Sequence, residues 1–136
     1  MQARQIGRPN PASQARLQLI LVLLAAWDLL AFLLELTNTR FLTIEGIHGV
    51  LGARSVSGTT AVLAVAYLYG ARDPIRHRFV LWLAAVEQVV AVFACGFHWA
   101  RSDIGFRQAA LPIAVAVIFI VLLAANLPKQ TDTLYT

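Results

Sequence analysis

Apolar residues run almost without interruption through four stretches of the chain, 17–36, 47–69, 79–100 and 109–127, with the polar residues gathered mostly between them. A stretch that is apolar on every side has no wet face, so each predicts a helix buried all round rather than an amphipathic surface helix. Each is close to the ~20 residues that carry an α-helix across ~30 Å of hydrocarbon at ~1.5 Å per residue. The expected fold class is therefore an all-α membrane protein: a single four-helix transmembrane bundle over residues 13–128. Residues 1–12, with Gly7, Pro9, Asn10 and Pro11, read as a disordered cytoplasmic lead-in and 129–136 as a cytoplasmic C-terminal tail.

The punctuation between the runs is that of helix ends. Ser13 is placed to cap the first helix, and Thr37, Asn38 and Thr39 to end it. Gly70 suits the position after a helix, Asp73 an N-cap and Pro74 a first helical position, so helices 2 and 3 are expected as a tight antiparallel hairpin. Pro112 is expected in the first turn of helix 4, which Asn126 and Pro128 stop. The first run is longer than the ~7–15 residues of a signal-peptide core and lacks a small-x-small cleavage pattern, so it reads as a retained anchor.

Composition agrees: 59% of the 136 residues are hydrophobic and 13% charged, with a mean hydropathy of +0.69. That is too apolar for a soluble domain with a wetted surface. The net charge of +4 is a topology signal rather than a nucleic-acid footprint. Seven basic residues (Arg4, Arg8, Arg16, Arg72, Arg76, Arg78, Lys129) fall at one set of helix ends and three (Arg40, Arg101, Arg107) at the other, with Arg54 inside a span. The positive-inside bias then places both termini in the cytoplasm. Brevity, alanine richness and the lack of eukaryotic sorting motifs point to a bacterial inner membrane. The lone Cys95 excludes an internal disulfide.

Candidate chemistry lies in the few polar residues inside the spans. Counted from the 70–74 link, Arg54 lies sixteen residues before Gly70 and Glu87 fourteen after Asp73, roughly 24 and 21 Å deep. Asp28, nine residues in from Thr37, falls near the same layer at ~13 Å from the opposite face. Unpaired charge in hydrocarbon is costly, so Asp28, Arg54 and Glu87 are expected to face inward as one charge network. Such a network serves either to fix helix register or to relay protons or hold a ligand. With two carboxylates to one guanidinium, one acid is left to take a proton or meet a cation.

A second cluster is expected nearer the outer face: Glu35, Glu45, His48, Cys95, His98 and Arg101. Glu45 and His48, like Cys95 and His98, stand three apart, which sets two side chains on neighbouring faces of one helix. One Glu-x-x-His step is too few for a four-helix di-metal site, which needs two and further Glu residues. A mononuclear metal held by Glu45, His48, Cys95 and His98, a bis-His haem or a quinone remain as ligand readings. Against them stands the ordinary use of His, Arg and Trp as interfacial anchors.

Facial placement adds packing. Gly49, Ala53, Ser57 and Ala61 recur at every fourth position of helix 2, a small-residue ridge that lets membrane helices approach closely. His48, Gly52, Ser55 and Thr59 form a small polar stripe beside it; Glu87, Ala91, Ala94, His98 and Arg101 form one on helix 3, and Asp28 and Glu35 share one on helix 1. Helix 4 has no ionisable residue in its core. Trp27, Trp82, Trp99, Tyr67 and Tyr69 are accounted for as core or interfacial-belt residues.

No complete catalytic motif is present, so an enzyme is not the expected class. The leading expectation is an accessory or structural subunit of a larger membrane complex, with the lipid bilayer and either other membrane subunits or copies of itself as partners, and no nucleic acid. The alternatives are a small-ligand or redox protein with a site between helices 1–3 near the outer face, and a small proton-coupled transporter using Asp28 or Glu87.

Overall fold

A computed structural model describes residues 11–36, 49–102 and 104–127, with side chains described for 11–34, 58–102 and 104–127. The described chain is all-helical: α1 (Pro11–Leu36), α2 (Gly49–Arg72), α3 (Arg78–Ala100) and α4 (Phe106–Asn126). Three of these, α1 over Pro11–Leu34, α3 and α4, are long and apolar enough to cross a membrane. The proposed lead-in up to residue 10, the stop at 37–39 and the tail from 128 lie outside the described residues.

The interior is built from stripes of near-heptad spacing. On α1 Leu17, Ile20, Leu21, Leu24, Ala25 and then Asp28 are buried; on α2 Ala64, Tyr67 and Ala71; on α3 Val80, Leu81, Ala84 and then Gln88; on α4 Ala109, Ala116, Phe119 and Leu123. Steps of three and four hold one face of a helix against its neighbour. Alanines fill much of these seams while bulky residues point away from them: Leu19, Leu33, Val62, Phe79, Trp82, Phe93, Phe97 and Val121 are all exposed. Lipid tails are as apolar as leucine, so helices in a membrane associate through close backbone approach and interhelical hydrogen bonds, which is the pattern here.

α1 packs most extensively on α2 and α3 on α4, with α1 also touching α4; the contact between α2 and α3 is small, and that between α1 and α3 smaller still. At one end Gln18 Nε2 donates to the Arg72 carbonyl at 3.4 Å, which sets the start of α1 beside the finish of α2.

Four helix ends differ from the sequence expectation. α1 already runs at Pro11, so Ser13 lies within its first turn rather than at a cap. α2 continues through Gly70 to Arg72, and Gly70 is buried inside the helix because α3 lies against it: a Cβ there would sit 2.6 Å from Val80 Cγ1. α3 begins at Arg78, not at Pro74. Asp73 instead organises a separate turn: its side chain accepts from the Arg76 N–H at 3.1 Å, and its carbonyl accepts from the His77 N–H at 3.0 Å and from the His77 ring Nδ1 at 2.9 Å.

α4 starts three residues before the expected 109. The Gly105 N–H donates to the Gln108 side chain at 2.9 Å while the Gly105 carbonyl accepts from the Gln108 N–H at 3.0 Å, closing the helix start. Pro112 therefore falls in the second turn, inside the helix. Between α3 and α4, Ser102 adopts a left-handed φ of 61°. It donates its N–H to the Trp99 carbonyl at 2.9 Å, a helix stop of the type glycine usually provides.

Candidate functional site

Asp28 and Gln88 are the buried polar residues of the described core, at 3% and 4% exposure. Each stands where its helix's apolar stripe would call for another leucine or alanine, and the two stripes converge on Tyr67, which is fully buried on α2. The Tyr67 hydroxyl donates to Glu87 Oε2. Gln88 Nε2 donates to the same oxygen at 3.0 Å. The Asp28 carboxyl lies near enough to feel the charge of Glu87, and its Oδ2 has no hydrogen-bond partner among the described residues. Four side chains from three helices thus form one polar layer.

Helix geometry accounts for the convergence. Asp28 lies ten residues beyond Gln18, which bonds the end of α2, a climb of ~15 Å. Glu87 lies nine residues into α3, at ~13 Å. Tyr67 sits only five residues before the end of α2, but side chains lean toward the helix N-terminus and its long ring covers the remaining height. The later start of α3 matters here, because counting from Asp73 places Glu87 too deep. Arg54 lies eighteen residues before the end of α2, ~27 Å by rise, and its side chain is outside those described. Of the expected network of Asp28, Arg54 and Glu87, the structure brings together the two acids.

Sequence reasoning missed Tyr67 and Gln88 as members of this layer. Their signal was the stripe itself: Ala64, Tyr67 and Ala71 on α2, and Leu81, Ala84 and Gln88 on α3, are spaced three and four apart. Tyr69, paired with Tyr67 in the sequence view, is 55% exposed and rests its ring 4.6 Å from that of His77 at the link.

The outer cluster is described only in part. Cys95 and His98 are half-buried on α3, and the exposed Arg101 guanidinium stacks over the Phe97 ring at 5.4 Å. Glu45 and His48, and the side chain of Glu35, lie outside the described residues, as do the side chains of Gly49, Ala53 and Ser57 in the expected ridge; Ala61 is half-buried. Among the described residues no three His, Cys, Asp or Glu side chains gather as a metal-holding group. An open apolar groove of about 390 Å³ lies between α1 and α4, lined by Leu23, Ala26, Trp27, Leu30, Val115, Ile118 and Phe119.

No protein-family model, curated protein or solved structure matches the chain.

Proposed function

We propose that this chain is a small, multi-pass, proton-coupled membrane transporter with Asp28 and Glu87 as its protonatable core. The observation that carries this is that two acids from different helices lie within electrostatic range of each other in a layer whose described members include no cation, with one carboxyl oxygen left without a partner. A register-fixing ion pair needs a counter-charge, whereas two carboxyls that feel each other in low dielectric favour leaving one of them protonated. Ionisable groups within membrane helices mark proton and ion pathways more than they mark packing.

The same proposal takes α2 as the fourth span and α2–α3 as an antiparallel hairpin. Both termini are placed in the cytoplasm of a bacterial inner membrane. The Gln18 to Arg72 hydrogen bond supports this by setting Arg16, Arg72, Arg76 and Arg78 at one end of the bundle. Arg54 is assigned to the outer side of the layer, ~27 Å by rise from the end of α2.

The test is a rapid pH jump on proteoliposomes adsorbed to a solid-supported membrane. A transient charge displacement is expected, and Asp28→Asn should abolish it. Currents no larger than those of empty liposomes overturn the proposal.

A second reading, an accessory subunit of a larger assembly, is favoured by one face of α3. Phe79, Trp82, Val86, Val90, Phe93 and Phe97 form a single stripe, each at least 56% exposed. Aromatic side chains in such density are typical anchors of protein interfaces. Stoichiometric larger subunits retained after mild solubilisation support it; a monodisperse lone protein counts against it.

A further inference from the structure

We infer that the two acids have different tasks: Asp28 takes up and releases the proton, while Glu87 is a fixed anion held in place by Tyr67 and Gln88. The inference rests on the proton-coupled reading and assigns its chemistry to one atom, Oδ2 of Asp28.

The asymmetry lies in the donors. Glu87 Oε2 accepts both the Tyr67 hydroxyl and the Gln88 amide, and donors aimed at a carboxylate stabilise its charge. Asp28 is 3% exposed and its Oδ2 accepts nothing from the described residues. A buried carboxylate oxygen without a donor costs more charged than in the neutral acid. Two like charges that feel each other in low dielectric disfavour double ionisation. The proton therefore sits on Asp28 and the charge on Glu87.

The surroundings give the proton no nearer home. Within electrostatic range of Asp28 are Tyr67 from α2 and Glu87 from α3; on α4 the described ionisable residue is Arg107, in the first turn. Arg54 on α2 belongs to the outer side of the layer, its side chain outside those described. When the O–H bond of Asp28 breaks, the proton passes to water and the bonding pair stays on Oδ2. A second anion then faces Glu87, across the smallest interface in the bundle, that between α1 and α3. Proton release thus acts directly on the seam between the α1–α2 and α3–α4 pairs.

Dicyclohexylcarbodiimide reports which acid is protonated, because a neutral carboxyl adds across its C=N bond and rearranges to a stable N-acylurea with no group lost. Labelling in proteoliposomes, located by mass spectrometry, should favour Asp28 over Glu87 by about tenfold or more, the ratio one charge-assisted hydrogen bond sets. It should decline as pH rises. In the double variant Tyr67→Phe, Gln88→Leu, Glu87 should become labelled as well. Infrared spectra give a measure independent of reagent access: Asp28→Asn should lose protonated-carboxyl absorbance that Glu87→Gln retains. Adducts mainly on Glu87, an unchanged distribution in the double variant, or absorbance that survives Asp28→Asn overturns the division of tasks and leaves the proton-coupled reading standing. Absence of both adduct and protonated-carboxyl absorbance overturns the two together.

Discussion

Between Leu17 and Leu24 the inner stripe of α1 consists of leucine and isoleucine in a core that α2 supplies with Ala64 and Ala71; one step further along, at Asp28, the same stripe comes within electrostatic range of a hydroxyl and a second acid. The first region is held by fit, which has no direction and no charge. The second is held by a few directional bonds. A bundle made this way is stiff in its apolar half and responsive in its polar half. On the proton-coupled proposal, proton occupancy alters the second and leaves the first untouched.

The largest effect should come from the apolar half. Gly70→Leu drives a side chain into Val80, which a Cβ alone would approach within 2.6 Å. A loss of about 3 kcal/mol is expected in detergent melting followed by circular dichroism, with Val80→Ala in the same chain restoring part of it. Recovery that is strictly additive would break the claim that these two residues set the α2–α3 approach. Leu21→Ala, at a fully buried site, should cost about 2 kcal/mol, the low end for core leucines. Tyr67→Phe should cost only ~1 kcal/mol, in line with measured membrane hydrogen bonds. Asp28→Asn should change stability by less than that or raise it, since it removes a buried acid with an unpartnered oxygen. An Asp28→Asn loss as large as that of Leu21→Ala would erase the distinction between the halves. The smallest expected effect is a gain of ~0.5 kcal/mol from Ser102→Gly, which relieves the left-handed φ of 61°.

The helices were legible because four long apolar stretches bounded by Gly, Pro, Asp and Asn admit few other structures. The depth of individual side chains was less so. Asp73 and Pro74 carry a helix-start signal, yet His77 ties both its backbone and its ring to the Asp73 carbonyl, and α3 opens only at Arg78. Those few residues move Glu87 away from the height of Arg54 and toward Tyr67. The Pro112 shift has a similar origin: the Gly105–Gln108 closure starts α4 early, and proline is then tolerated inside the helix at the loss of one backbone bond. Gly70 carried a turn signal in the sequence, but what demands a glycine there is the branched side chain of Val80, a neighbour ten positions away. Asp28 and Glu87 stood out as charges in apolar runs, whereas Tyr67 and Gln88 are neutral and raise no such flag.

The position of Asp28 also orders the birth of the bundle. It is synthesised thirty-nine residues before Tyr67 and fifty-nine before Glu87. α1 therefore enters the bilayer with Asp28 in mid-span, at an insertion penalty of roughly 3 kcal/mol that its surrounding leucines offset. The layer is complete only once α3 has followed, so its assembly is a late event in biogenesis.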